Sequence, residues 1–148
     1  EKDFRNRETQ LALGYDNRAG RSTDISYSFG RNYDRDMRLI RSGVGYKISD
    51  FWNMGYNLTK LWLKPDPGDE NTWIHVLRSN YYVTKDFYLK LFFQSSSAID
   101  KQNVQIVWVW RFLPPFGSVQ VAYQRGTSRF GTSSDQGHTL FTKFSWVF

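Results

Sequence analysis

Residues 138–148 read HTLFTKFSWVF, and their alternation decides the fold class. Leu140, Phe144, Trp146 and Phe148 fall on one side of an extended chain, with Thr142 among them, and Thr139, Lys143 and Ser145 fall on the other. Successive side chains of a β-strand point to opposite faces, so a period of two marks a strand. Phe141 and Val147 are the exceptions to it. An amphipathic helix would repeat its apolar residues every three to four positions, and no long stretch of the chain does so.

The same pattern continues towards the N-terminus. Residues 118–124 turn Val119, Val121 and Tyr123 one way and Ser118, Gln120 and Gln124 the other. Residues 103–112 carry an unbroken apolar face of Val104, Ile106, Trp108, Trp110 and Phe112 opposite Asn103, Gln105 and Arg111. Phe87, Leu89, Leu91 and Phe93 alternate with Tyr88, Lys90, Phe92 and Gln94. Over 72–83 the apolar face is read as Trp73, Leu77 and Tyr81. Trp52, Met54, Tyr56, Leu58 and Trp62 form the next such face, on which Lys60 is out of place. Ile40, Val44, Tyr46 and Ile48 alternate with Arg41, Gly43, Gly45 and Lys47. Ile25, Tyr27 and Phe29 alternate with Asp24, Ser26 and Ser28. Leu11, Leu13 and Tyr15 alternate with Gln10, Ala12 and Gly14.

Composition agrees with this reading. Aromatic residues make up 18% of the 148 residues, whereas helix formers are scarce, as suits strands. The longest wholly apolar run, 106–110, has five residues, far short of the ~20 of a transmembrane helix. There is no cysteine, hence no disulfide framework and no thiolate metal site. No secretory leader is recognisable, and a mature chain would have lost one.

The nine strand candidates run about 7–12 residues, longer than the ~5–6 of globular strands and near the ~9–11 that cross a bilayer. Their connections are predicted to alternate in length: short at 17–20, 49–51, 84–86 and 114–117, longer at 31–37, 64–71, 97–102 and 126–137. Outer-membrane barrels show short periplasmic turns and long external loops, which here puts the C-terminus on the periplasmic side. Aromatic residues gather near the strand ends, at Trp52, Trp62, Trp73, Tyr81, Trp110, Phe112, Tyr123, Trp146 and Phe148, where interfacial girdles sit. The other face is small and polar. A soluble β-sandwich or lipocalin-like barrel would turn its apolar face inward and expose more Lys and Glu.

The expected fold is therefore all-β, an antiparallel up-and-down transmembrane β-barrel, over a single unit spanning 1–148. Bacterial single-chain barrels have even strand numbers. Nine strands thus point to the C-terminal portion of a larger barrel, completed by N-terminal strands or by partner subunits. In this topology the charged run 1–8 is an external loop.

Some segments are also similar to a known family. Residues 80–82, FYLKLFFQSS (87–96), RFLPPFGSVQVAYQRG (111–126) and TLFTKFSWVF (139–148) resemble the end of poorly characterised bacterial outer-membrane proteins in which a carbohydrate-binding-like module precedes a C-terminal barrel. The terminal Phe148, with Leu140, Phe144 and Trp146, resembles the signal by which the barrel-assembly machinery recognises its substrates. The resemblance implies location in the bacterial outer membrane and no catalytic residues.

Motifs for chemistry are few. His75 and His138 are far apart, and most acids (Asp16, Asp34, Asp36, Asp50, Asp66, Asp69, Glu70, Asp86, Asp100 and Asp135) are read as turn residues. Only Asp24 is placed within a strand, so no pair of carboxylates converges for acid–base work. PDPGDE at 65–70 offers Asp66, Asp69 and Glu70 to calcium but lacks EF-hand spacing; a solvated turn is the better reading. No G-x-S-x-G elbow or phosphate-cradling loop is present. No enzyme, cofactor or metal is expected.

The net charge of +6 remains. Nucleic-acid readers interleave bases with exposed aromatics on one face, whereas here the two lie on opposite faces, so no nucleic acid is expected. Arg41, Lys47, Lys90, Gln105, Arg111, Gln120 and Lys143 are predicted to line a pore, with Arg78 beside them and Asp24 as the single opposite charge. Leu89, Leu91, Ile106, Trp108, Trp110, Val119, Val121, Phe144, Trp146 and Phe148 are predicted to face outer-membrane lipid. Arginines at strand ends would suit anionic sugar phosphates of the outer leaflet. The expected function is a passive pore with a mildly cationic interior. The alternatives are a non-conducting anchor for a surface module or partner complex, and a soluble ligand-binding β-domain.

Overall fold

The computed structural model describes residues 6–17, 19–68, 71–98, 101–126 and 137–147. They form nine strands: β1 (Arg7–Asn17), β2 (Arg21–Asn32), β3 (Arg35–Lys47), β4 (Trp52–Lys64), β5 (Thr72–Tyr82), β6 (Phe87–Ser96), β7 (Lys101–Leu113), β8 (Gly117–Gly126) and β9 (Gly137–Trp146). All belong to one sheet in sequence order, every neighbour antiparallel. Each strand holds 10 to 13 residues, about 33–43 Å of extended chain.

The register carries every apolar face named from the sequence onto one side of the sheet. Leu13 pairs with Ile25, Tyr27 with Ile40, Tyr56 with Leu77, and Leu77 with Phe93. Leu91 pairs with Ile106, Trp108 with Val121, and Val119 with Phe144. A one-residue slip anywhere would have reversed the faces. One irregularity, between Trp110 and Leu113 in β7, leaves Phe112 stacked on Phe144 at a centroid distance of 5.8 Å.

Burial tells which side is concave. The most enclosed side chains are Ser28, Val109, Leu63, Thr72 and Ser96, between 2% and 9% exposed. All five lie on the polar face, paired respectively with Gln10, Gln120, Met37, Leu61 and Ile74. The apolar face is open by contrast, with Leu13 at 78%, Phe144 at 62% and Trp108 at 47% exposure. Curvature crowds side chains on the inner surface and spreads them on the outer. The sheet therefore bends towards its polar face, and among the described residues no second layer covers the apolar one.

The hydrogen-bonded rows climb across the sheet. One row starts at Lys47, the last residue of β3, and passes through Asn53, Asn80, Lys90, Val107 and Ala122 to Phe141. Phe141 stands five residues before the end of β9 at Trp146 (146 − 141). Five residues at ~3.3 Å over six strand spacings of ~4.8 Å make a strand tilt of about 30°. That is close to the tilt of closed barrels.

Among the described residues β1 and β9 neither pair nor touch. They also run in the same direction, because eight reversals separate them. Direct pairing of the two edges would be parallel.

Two expectations are corrected. Neither the link over 31–37 nor that over 97–102 is long. β2 runs to Asn32 and β3 begins at Arg35, leaving residues 33–34 as the turn. β6 runs to Ser96 and β7 begins at Lys101, and the four residues between them are no more than the links 48–51 and 83–86 hold. Tyr33 takes a left-handed φ of 56° in the 33–34 turn, and its N–H donates to Oδ1 of Asn6 at 2.8 Å. Asp24 is not the single strand acid: Glu8 and Asp16 lie in β1 and Asp36 in β3. The charged run read as a loop thus contributes Arg7 and Glu8 to β1. Polar residues at strand ends hide the period of two, since neither face contrasts with the other.

Candidate functional site

The concave face gathers the candidate pore-lining residues. Arg41 pairs with Ser26 and Thr59, Lys90 with Asn80 and Val107, Gln105 with Phe92 and Gln124, and Gln120 with Val109 and Lys143. Arg78, opposite Gly55 and Phe92, belongs to the same face. Arg111 reaches it too, at the short-turn end. Its N–H donates to the carbonyl of Asp86 at 2.7 Å.

Tyr88 organises two of these cations. The Lys90 ammonium lies 5.4 Å from the centre of its ring, and the Arg111 guanidinium lies 5.7 Å away. Tyr82 packs against the same ring at 5.5 Å. An aromatic face attracts a cation without neutralising it, so both side chains keep their charge. Arg78 is placed similarly, 5.6 Å from the ring of Phe92. Aromatic residues that break the polar alternation of β6, at 88 and 92, are therefore the supports of the cations. The period of two places both on the polar face but assigns them no role.

Lys47 behaves differently. Its Nζ lies 2.6 Å from Oδ1 of Asp50 in the turn that follows β3. This pair holds the Asp50 carboxyl below its usual 3.8, through the hydrogen bond first and the charge of Lys47 second.

Register also sorts charge by sign. Glu8, Asp16 and Asp24 occupy β1 and β2 of the concave face, opposite Gly30, Ser22 and Gly43. Arg41, Lys47, Arg78, Lys90, Arg111 and Lys143 occupy β3 to β9. The concave face is thus acidic along one flank and basic along the rest. The sequence hid this, because Glu8 and Asp16 were read as loop and turn residues.

The convex face carries the candidate lipid-facing residues. Leu89, Leu91, Ile106, Trp108, Trp110, Val119, Val121, Phe144 and Trp146 all share it, whereas Phe148 lies outside the described residues. Both histidines lie there as well. Nδ1 of His75 is 2.7 Å from the Tyr56 hydroxyl, and Nδ1 of His138 is 2.7 Å from that of Tyr123. Ser145 is on the opposite face from His138, opposite Ser118, so the two form no nucleophile–base pair. Among the described residues no group of three His, Cys, Asp or Glu could hold a metal. Of the 65–70 loop, Asp69 and Glu70 lie outside them.

No protein-family model matches the chain, and no curated protein does either. Two solved structures are similar in fold. One, described as "KdgM porin", is 14% identical, with 94% of this chain and 75% of that one covered and a TM-score of 0.49. The other, "KdgM porin in complex with disordered oligogalacturonate", is 14% identical over the same shares, with a TM-score of 0.46.

Proposed function

We propose that these nine strands form most of the wall of a bacterial outer-membrane β-barrel whose concave face lines a passive, anion-favouring pore. The inverted burial carries the reading: polar side chains line the enclosed side, and large apolar ones cover the open side. Water-soluble folds bury their apolar face; a sheet surrounded by hydrocarbon does the reverse. At a tilt of about 30°, strands of 10 to 13 residues stand about 29–37 Å tall, enough for a hydrocarbon core of ~30 Å.

In lipid every backbone N–H and C=O needs a partner, so the free edges of β1 and β9 must be closed. Because the two edges run the same way, antiparallel closure takes an odd number of further strands. A second copy of this segment in the same orientation adds nine, but each of the two seams between copies would then join parallel edges. The closing strands therefore come from another segment or partner. The C-terminal strand would guide assembly and end on the periplasmic side, where every connection has 3 or 4 residues; the two longest connections, of 7 and 10 residues, lie at the other end with two short ones of 2 and 4. Membership of the family with a preceding carbohydrate-binding-like module belongs to this reading as well, supported by the segments within 80–148.

Transport would be passive. Asn, Gln and Ser side chains of the lining replace part of a solute's hydration, and Lys90, Arg111, Arg78 and Lys143 lower the energy of an anion passing them. Acids on β1 and β2 would set a field across the interior and orient a dipolar solute. The test is planar-bilayer conductance, under a potassium chloride gradient, of the complete barrel purified with the strands that close this sheet. A reversal potential on the chloride side is expected. Absence of conductance, or a strong preference for potassium, would overturn the pore.

A further inference from the structure

At the end of the sheet where β2 turns into β3, the convex face changes character. In the strands its cations Arg7, Arg31, Arg38, Lys60, Lys64 and Arg125 all lie towards this end, against the single acid Asp36, whereas Arg21 alone lies towards the other. Arg38 and Lys64, with Asp36 beside them, form the lip of a cavity of about 390 Å³, whose other lining is Tyr27, Ile40 and Trp62. A second cavity of about 430 Å³ adjoins it, sharing Asp36 and Arg38 and adding Arg7 and Arg31.

Lys60, the cation that interrupts the apolar period of β4, marks the depth of this site. Its Nζ lies 4.4 Å from the ring centre of Trp73 and 5.4 Å from that of Trp62, and the two indoles meet edge to face at 6.5 Å. Indoles settle at the headgroup level of a bilayer, and a lysine stem lies along apolar surface while its charge stays polar. Cation and indoles together therefore place this band where lipid headgroups begin.

We propose that the cavity between β2, β3 and β4 binds a membrane lipid with a phosphorylated headgroup. Arg38 offers a planar fork that matches phosphate oxygens, and Lys64 adds a point charge. Trp62 stands level with Arg38, its partner across β3 and β4, and Tyr27 and Ile40 one pair further in continue the site into the apolar band, where an acyl chain lies. The two lip cations outweigh Asp36, and Lys60 adds a third charge below them. A free phosphate would use the lip alone; a lipid uses lip and floor. The site rests on the membrane reading above, since only then does this face meet lipid.

The test uses the closed barrel, this chain together with the strands that complete it, folded into phosphatidylcholine vesicles. These are doped with a bis-phosphorylated diglucosamine glycolipid, with its dephosphorylated form, or with neither plus inorganic phosphate. Binding is read from tryptophan fluorescence, because Trp62 lines the cavity. The phosphorylated lipid is expected to bind about tenfold or more tightly than the dephosphorylated one. Arg38→Ala/Lys64→Ala should remove that preference, and Arg21→Ala at the far end should keep it. The two-lipid comparison on the unaltered chain needs no variant, so misfolding of the double variant does not blunt it. Equal affinity for both lipids, or saturation by inorganic phosphate as tight as by the lipid, overturns the lipid site. A chain that does not float with vesicles of any composition overturns the membrane reading and this site with it.

Discussion

Asp24 and Gly43 face each other across β2 and β3, and the Asp24 carboxylate occupies the space a side chain on Gly43 would need. Oδ1 of Asn57 closes the same space from β4, 2.8 Å from where a Cβ would stand. The concave face is crowded here because the sheet curves over it. Gly43→Val should therefore destabilise the folded sheet by about 1 kcal/mol, the low end of the cost of overpacking, because the Asp24 and Asn57 side-chain ends can swing aside. Gly14→Val, with nothing within 4 Å of its Cβ, should be nearly neutral. Denaturant midpoints for refolding into vesicles check both.

Arginine at Leu91 and at Gln105 separates the two faces. Leu91 stands mid-strand on the convex side and Gln105 at a similar height on the concave side. Leu91→Arg should cost about 2–4 kcal/mol of folding in lipid, as a cation at the bilayer midplane does. Gln105→Arg should cost little. Equal penalties would mean that the faces have been assigned the wrong way round.

Charge reversal at Lys90, Arg111 and Lys143 should move ion preference towards cations. Lys90→Glu and Arg111→Glu should act together rather than additively, since both cations share the ring of Tyr88 and neighbouring sites couple. Reversal potentials of the single and double variants measure that coupling.

Because the chain has no cysteine, strand neighbours can be read by crosslinking. Val121→Cys with Thr142→Cys, partners across β8 and β9, should oxidise to a disulfide, since paired Cα atoms stand ~4.5–5.5 Å apart. Leu13→Cys with Thr142→Cys, on the two separate edges, should not. An efficient second crosslink would show direct closure between β1 and β9.

Asp50 should titrate below 3.8, because Lys47 stabilises its charged form. A depressed carboxyl contributes stability in full above its unfolded pKa and loses it as pH falls through the folded value. The window therefore lies below about pH 4. Carbon-detected NMR of the Asp50 carboxyl should show a return to the ordinary value in Lys47→Met.

Much of this was legible in the residues alone. Leu91, Trp108 and Val121 each belong to a run in which apolar residues recur at every second position, and that period defines strand and face together, even over 72–83 where polar and apolar residues mix. Strand ends were less legible. At 31–37 the residues RNYDRDM look like a loop because both faces are polar there, and only pairing of Arg31 with Asp36 and Asn32 with Arg35 reveals a two-residue turn. The same masking hid Glu8 and Asp16, and with them the acidic flank of the concave face.

The sequence by itself determined nine strands and one register of faces, since a period of two is a local property that each segment carries within itself. Tertiary structure alone decided which cations share Tyr88, and that the lip of Arg38 and Lys64 meets the floor of Tyr27 and Ile40. Those relationships join residues from different strands, and they exist only once hydrogen bonding has set the strands side by side and the sheet has curved.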